Sequence, residues 1–323
     1  MAEPYASLRA WRAGVESARW IANIWSNPSA TRDRSHPRHR DTMCEYMEPL
    51  CFLNGEIVPL RDAKVGILDL GVLRGFGVYD GLTSFSGKPF RFKDHWERFQ
   101  VAAHTLGLIV PYTEDEVQEA MIAIIAHNAP GTRANLRMVL TGGEAKGGLE
   151  PVPGRETLFI TAEAAVPLSA ALYESGGKLM QYEHQRLMPE IKTTNYITAV
   201  MLQKKRAAAG TIEILYTNGD CVLECATSNV FIVKNGTLST PDSGILKGIT
   251  RKVVLELAKN IYSVEERTIS IDELLTADEV FITGSFKDIM PIISVDGHTI
   301  GSGAPGTIAR DMMKRFAEYT KTH

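Results

Sequence analysis

The sequence predicts a two-domain α+β protein, and three observations point there. Short apolar runs split by Asn-Gly or Ser-Gly pairs read as β-hairpins, while other segments carry apolar residues at helical spacing, and the two kinds alternate along the chain. The length of 323 residues suits one large or two medium domains. A stretch of small residues with a proline, 164–170, falls between two such mixed blocks and reads as the linker. The expected division is an extension over 1–46, a small α+β domain over 47–163, the linker, and a larger α+β domain over 171–323.

The composition is that of a soluble globular chain, 44% hydrophobic and 23% charged, so a sizeable core can be buried. A net charge of -3 offers no basic field for nucleic acid. No uninterrupted apolar run is long enough to span a bilayer. Cys44, Cys51, Cys221 and Cys225 match no zinc spacing and are too few for a disulfide framework, so a reducing, cytoplasmic setting without a metal is expected. The first 42 residues stand apart, with seven Arg, no Lys and three of the four Trp. They read as a non-essential extension, with Met43 and Met47 as alternative starts, and the acids Glu3, Glu16, Asp33 and Asp41 speak against a targeting peptide.

In chain order, 50–53 and 56–59 form a hairpin around Asn54-Gly55, and 78–85 and 88–92 repeat that logic around Ser86-Gly87. Residues 93–106 place Trp96, Phe99, Ala103 and Leu106 on one helical face, with Gly107 as a stop. A helix over 113–127 opens with a capping box, Thr113 and Glu116. Strands follow at 133–140 and 157–162. In the second block, strands at 177–182 and 213–217 flank a helix over 197–209. A hairpin at 230–239 turns at Asn235-Gly236, a helix runs over 250–259, a strand over 279–283, and a closing helix over 308–319.

Five features can carry chemistry. Lys192 sits at a strand-to-helix junction, where a lysine can reach a ligand at a strand end; amine chemistry near neutral pH needs such a group. Glu224 precedes a strand, where a carboxylate can hold a ring nitrogen in its protonated form. Leu246-Lys247-Gly248-Ile249-Thr250 opens a helix whose free N–H groups suit an anion. Ser285 offers a hydroxyl after a strand, and Arg98 on a helix offers a charge-assisted fork. Each has an ordinary alternative when taken alone: a solvated lysine, a turn acid, a capped helix, a surface arginine. The glycine-rich segment 142–149 lacks the Lys-Ser/Thr ending of a P-loop and reads as a flap over the site.

Together the order is specific. Arg98 in H-x-x-R, Lys192 in K-T-T-N-Y, Glu224 in E-x-x-x-S-N-x-F and the G-I-T-R block at 248–251 resemble the fold-type-IV pyridoxal-phosphate family over roughly residues 48–319. That family includes branched-chain aminotransferases, D-amino-acid transaminases and aminodeoxychorismate lyase. The resemblance implies a small α/β domain with a larger pseudo-barrel domain, a homodimer, and pyridoxal 5'-phosphate as cofactor. It implies that Lys192 bonds covalently to the cofactor and moves the substrate Cα proton, and that Glu224 pairs with the ring nitrogen. Tyr196 would hydrogen-bond the phenolic oxygen, Leu246 would pack on the ring, and Arg98, Gly248, Ile249, Thr250 and Ser285 would hold the phosphate. The implied reaction is a ping-pong transamination between an amino acid, branched-chain L or D, and a 2-oxo acid such as 2-oxoglutarate. The alternatives are a lyase acting on aminodeoxychorismate and a vitamin-B6-binding protein without catalysis.

For the substrate, the segment 73–81 corresponds to the family's pocket strand, which marks Arg74 and Tyr79. Branched-chain enzymes often carry a tyrosine where Arg74 stands and an arginine where Thr83 stands. Arg137 matches the arginine they use near the substrate carboxylate, with Asn135 in place of a tyrosine. Gly142 and Glu144 stand where the better-known D-amino-acid transaminases place an arginine and a histidine. Arg74 and Arg137 are therefore expected to clamp a carboxylate.

Overall fold

The computed structural model describes residues 48–322. The extension assigned to 1–46 lies outside the described residues.

Strands β1 (Leu50–Leu53), β2 (Glu56–Pro59), β3 (Gly77–Phe85), β4 (Lys88–Pro89), β5 (Ala134–Thr141) and β6 (Thr157–Ala164) form a six-stranded antiparallel sheet in the order β2-β1-β6-β5-β3-β4. Its hairpins turn where the sequence asks. Asn54 and Gly55, and Ser86 and Gly87, all have positive φ, the geometry that matches strand twist in a two-residue turn. A short helix, α1 (Leu70–Arg74), precedes β3 and ends at Gly75 in the left-handed region. Two longer helices, α2 (Phe92–Thr105) and α3 (Glu114–Asn128), bury Trp96, Phe99, Val117, Met121 and Ile124 against Val78, Leu82, Leu136 and Ile160 of the sheet. The Thr113–Glu116 capping box is formed: the Glu116 N–H donates to Thr113 Oγ1 at 3.3 Å, and the Thr113 N–H donates to Glu116 Oε2 at 2.8 Å.

A short helix, α4 (Ala170–Ser175), leads into the second sheet. This sheet holds β7 (Gly177–Glu183), β8 (Glu213–Asn218), β9 (Cys221–Cys225), β10 (Asn229–Lys234), β11 (Thr237–Thr240), β12 (Ser263–Glu266), β13 (Ile269–Ser270), β14 (Glu279–Gly284), β15 (Asp288–Val295) and β16 (His298–Thr299). The order is β12-β11-β10-β14-β15-β7-β8-β9-β13, with β16 beside β15, and the sheet curls into a half-barrel. Both faces are covered. Val230 and Ile232 of β10 face a cluster with Leu215, Ile282 and Met290. Phe231 and Val233 face the helices α7 (Ile249–Ala258) and α9 (Thr307–Thr320) through Val253, Val254, Met312 and Phe316. The continuous apolar run of this strand is thus a period of two read on two buried faces. The expected α+β class holds.

The structure adds elements that the pattern did not show. Strand β15 contains Pro291, which argues against an interior strand. It is tolerated because β15 pairs with β7 only from Ile292 onward, so no β7 partner faces the missing N–H. A further helix, α8 (Ile271–Leu275), opens with a Ser270–Glu273 capping box. The helix expected over 197–209 is split into α5 (Ile197–Met201) and α6 (Gln203–Ala208) at Leu202, which turns inward onto the cluster around Ala199 and Ile214. No described helix is long and apolar enough to cross a membrane.

Candidate active site

Lys192 lies between β7 and α5, on a segment tethered to the other sheet. The Tyr79 N–H donates to Lys192 O at 2.9 Å, Thr193 bridges to Val78, and the Thr194 N–H donates to Gly77 O at 2.9 Å. Thr194 Oγ1 adds a bond to Gly75 O at 2.8 Å. These bonds lay Lys192 along the start of β3, with the chain bending at Thr194. Its ammonium nitrogen reaches Tyr196 OH at 3.3 Å and sits 4.5 Å from the centre of the Tyr79 ring. The two tyrosines pack edge to face, centroids 5.4 Å apart. Burial pushes the Tyr79 phenol up. For Tyr196 burial acts the same way, but Lys192 and Arg186 outweigh it and bring the phenol below its usual value.

Glu224 stands within β9, 5% exposed, on the same cavity. All of its bonds use one oxygen: Arg186 Nε at 3.0 Å, Arg186 Nη2, and the Leu246 N–H at 3.2 Å all donate to Oε1. Among the described residues no donor meets Oε2, which is left for a partner in the cavity. Burial raises the carboxyl's pKa, and Arg186 and the Leu246 N–H offset only part of that.

The opposite end of the cavity is an anion cradle. Asn229 grips the turn before α7 at two points: its Nδ2 donates to Leu246 O at 2.7 Å, and its Oδ1 accepts from the Gly248 N–H at 3.1 Å. Gly248 is required for room: a Cβ there would lie 2.2 Å from Asn229 Oδ1. It caps α7 without a side-chain hydrogen bond, so the first-turn N–H groups at Ile249 and Thr250 face the cavity without intrahelical partners. Arg98 joins this end through Nη1, which donates to Lys247 O at 3.3 Å. Its other donors are fixed by Asp80, which is fully buried: Nε to Oδ2 at 2.9 Å and Nη2 to Oδ1 at 2.8 Å. His95 Nδ1 lies 2.8 Å from Asp80 Oδ1. Burial alone would raise the Asp80 carboxyl, but Arg98 and His95 outweigh it and hold it well below the usual range; burial lowers the His95 ring.

The turn between β14 and β15 forms the next wall, with Ser285, Phe286 and Lys287. Lys287 is the second lysine on the cavity, but its amine is committed, 2.6 Å from Thr227 Oγ1 and 3.0 Å from Glu213 Oε2. Arg137 reaches the cavity from β5, where it also pairs with Glu163 at 2.8 Å.

The cavity therefore brings together Tyr79, Arg98, Arg137, Lys192, Tyr196, Glu224, Leu246, Gly248, Ile249, Thr250 and Ser285. Arg74 is the exception and corrects the expectation for 73–81. It is the last residue of α1, not part of a strand, because Gly75 ends the helix and β3 begins only at Gly77. Its guanidinium is exposed, donates to Leu73 O, and lies outside the cavity lining. Nor does the 142–149 segment line the cavity; it bridges to Asp69 through Glu144.

A model of the amino-transferase class IV family matches residues 77–295, which carry every one of these cavity residues. The chain belongs to the class IV aminotransferase family. A Methanocaldococcus jannaschii protein with the provisional name branched-chain-amino-acid aminotransferase is 35% identical over 83% of this chain and 95% of its own. A D-alanine aminotransferase of Listeria monocytogenes is 32% identical over 82% of this chain and 94% of its own. The branched-chain amino acid aminotransferase of Thermobaculum terrenum, solved in its PLP form, superposes with a TM-score of 0.75 at 28% identity, covering 86% of this chain and 95% of that one. This aminotransferase shares the fold-type-IV architecture of such enzymes.

Several cavity residues of the aminotransferase escaped the sequence reading. Asn229 was legible in principle, as the Asn of the S-N-x-F motif. Arg186, Lys287 and the positioning acid Asp80 have no local signature, since their partners lie 38, 74 and 18 residues away. Asp80→Asn is expected to cost the aminotransferase about 3–5 kcal/mol, because it breaks a buried ion pair and strands Arg98. The folded-state pKa of Asp80 is depressed, so its contribution is complete above the unfolded value of about 3.9 and is lost as pH falls through the folded value. Denaturant titrations of both proteins should accordingly show a gap that is constant from about pH 5 to 8 and narrows below about pH 4.

Proposed function

We propose that this aminotransferase uses pyridoxal 5'-phosphate to move an amino group from an amino acid, a branched-chain L-amino acid or a D-amino acid, to a 2-oxo acid such as 2-oxoglutarate. The observation that carries the reading is one cavity with Lys192 at its centre, a buried carboxylate with a free oxygen on one side, and a helix N-terminus with an arginine on the other. The residues fit such a cofactor. The anion cradle suits a phosphate, Glu224 Oε2 suits a protonated ring nitrogen, and Tyr196 OH suits a phenolic oxygen. Thr283 Oγ1, buried on the cavity wall, has no hydrogen-bond partner among the described residues and is open to one from a ligand.

When bound, pyridoxal 5'-phosphate supplies an electron-withdrawing ring conjugated to the reacting carbon. The protein supplies the rest. Arg98 and the Ile249 and Thr250 N–H groups hold the anionic end, with Arg98 set by Asp80. Glu224 keeps a proton on the ring nitrogen, and Arg186 holds that carboxylate in place. As a free amine, Lys192 would take the proton from the substrate Cα and return it to the cofactor carbon that shares the substrate nitrogen. The Tyr79 ring and the Tyr196 hydroxyl, 4.5 Å and 3.3 Å from its nitrogen, confine the amine to that path. Arg137 receives the substrate carboxylate, exchanging Glu163 for it.

A homodimer in the cytoplasm is part of the proposal. Ile67, Leu68, Val72 and Leu73 near α1, and Ile197, Val200 and Met201 on α5, are large apolar residues exposed by 40–81%, suited to cover by a second copy.

The test is a panel of L- and D-amino acids with 2-oxoglutarate, following glutamate. The aminodeoxychorismate lyase alternative would release pyruvate from its own substrate with no keto-acid acceptor, and glutamate formation rules in favour of transamination. Arg137→Ala is expected to raise KM for donor and for 2-oxoglutarate by roughly tenfold or more, the loss of one charge-assisted hydrogen bond, whereas Arg74→Ala leaves both unchanged. Equal effects at the two positions would return Arg74 to the substrate.

A further inference from the structure

We infer that Phe286 is the specificity-determining residue of this site and restricts the donor to small side chains; the inference rests on the transaminase reading above and, of its two donor classes, sets aside the branched-chain one. Tyr79 and Gly81 point to the same face of β3, two residues apart. Lys192 Nζ lies over the first, and the Phe286 ring lies over the second. Gly81 leaves the space that the ring uses: a Cβ there would meet Phe286 Cζ at 3.2 Å and Cε2 at 3.5 Å. Across the ladder Gly81 is paired with Arg137, whose guanidinium stands 5.5 Å from the Phe286 ring centre. Phe286, Gly81 and Arg137 all line the cavity. A substrate carbon within reach of Lys192, with its carboxylate on Arg137, therefore directs any long side chain along β3 into the ring.

The ring is held from both flanks. Arg133, just before β5, donates Nη1 and Nη2 to the Asp288 carboxylate, both at 2.7 Å, and Nη2 also to Ser285 O at 2.9 Å. Lys287 ties the other flank to Thr227 at 2.6 Å. The turn that presents Phe286 is thus anchored on the residues immediately around it, and a large substituent cannot swing it aside without breaking charge-assisted bonds. The ring remains 37% exposed, so it faces the cavity rather than the core, and its removal does not empty a packed cluster.

The experiment measures kcat/KM for alanine and for leucine, each as both enantiomers with 2-oxoglutarate, in the wild type, Phe286→Ala and Phe286→Leu. The wild type should favour alanine. Phe286→Ala should raise the leucine-to-alanine ratio by roughly tenfold or more, within the range that a few methylenes in an apolar pocket command. Phe286→Leu, which still covers Gly81, should fall between. A wild type that already favours leucine, or a ratio unchanged in a folded and active Phe286→Ala, overturns the inference and leaves the transaminase reading standing. A wild type that aminates 2-oxoglutarate from no donor overturns both.

Discussion

Lys192→Ala abolishes transamination, by on the order of 10⁴-fold, without unfolding the protein. The magnitude follows from the role: a positioned base contributes about 10²–10⁴ to a proton transfer, and this one is proposed to be the covalent tether as well. The structure explains why no neighbour replaces it. Lys287, the other lysine on the cavity, is bound to Glu213 and Thr227. Fold and catalysis separate here because, among the described residues, the Lys192 amine has only Tyr196 OH as a hydrogen-bond partner, at 3.3 Å, and a ring face beneath it. The tether of this segment to β3 runs through backbone and Thr194, which the substitution leaves in place. Thermal unfolding should be nearly unchanged, and the variant should still bind the cofactor through its phosphate, read as quenching of protein fluorescence.

Glu224→Gln should lower kcat by roughly 10²–10³, the effect of losing one preorganised charge where charge develops. The amide keeps the shape, and its oxygen can still accept from Arg186 and the Leu246 N–H. What goes is the negative charge that favours a proton on the cofactor nitrogen. KM should move little, since Glu224 lies on the cofactor side of Lys192. The pH profile gives a second readout. The ionised form of Glu224 is the active one, and burial raises its pKa. Its protonation gives the wild-type rate an acid limb, which should disappear in Glu224→Gln. A variant with unchanged kcat and an unchanged acid limb would remove Glu224 from the chemistry.

Much of this site was legible because its parts are short local signals. Gly248-Ile249-Thr250 is a helix start that any anion cradle uses, and Lys192 with Tyr196 spans one stretch of chain. Their convergence is a property of the fold, and only the order of the motifs along the chain announced it. The failures have physical causes. Arg74 was placed on a strand because 73–81 reads as one block, yet Gly75 adopts positive φ and ends a helix there. Pro291 concealed β15, since the pairing that spares its missing N–H depends on where β7 begins. Arg186 and Asp80 act on other side chains rather than on a ligand, and a buried ion pair formed across 38 or 18 residues leaves no periodic trace.

The central claim is that Lys192 is the residue that carries the cofactor. The full chain loaded with pyridoxal 5'-phosphate, reduced with borohydride, digested and read by peptide mass spectrometry tests it most directly. A single phosphopyridoxyl addition, on Lys192, is expected. Addition to Lys287, or to no lysine of the cavity, would contradict it.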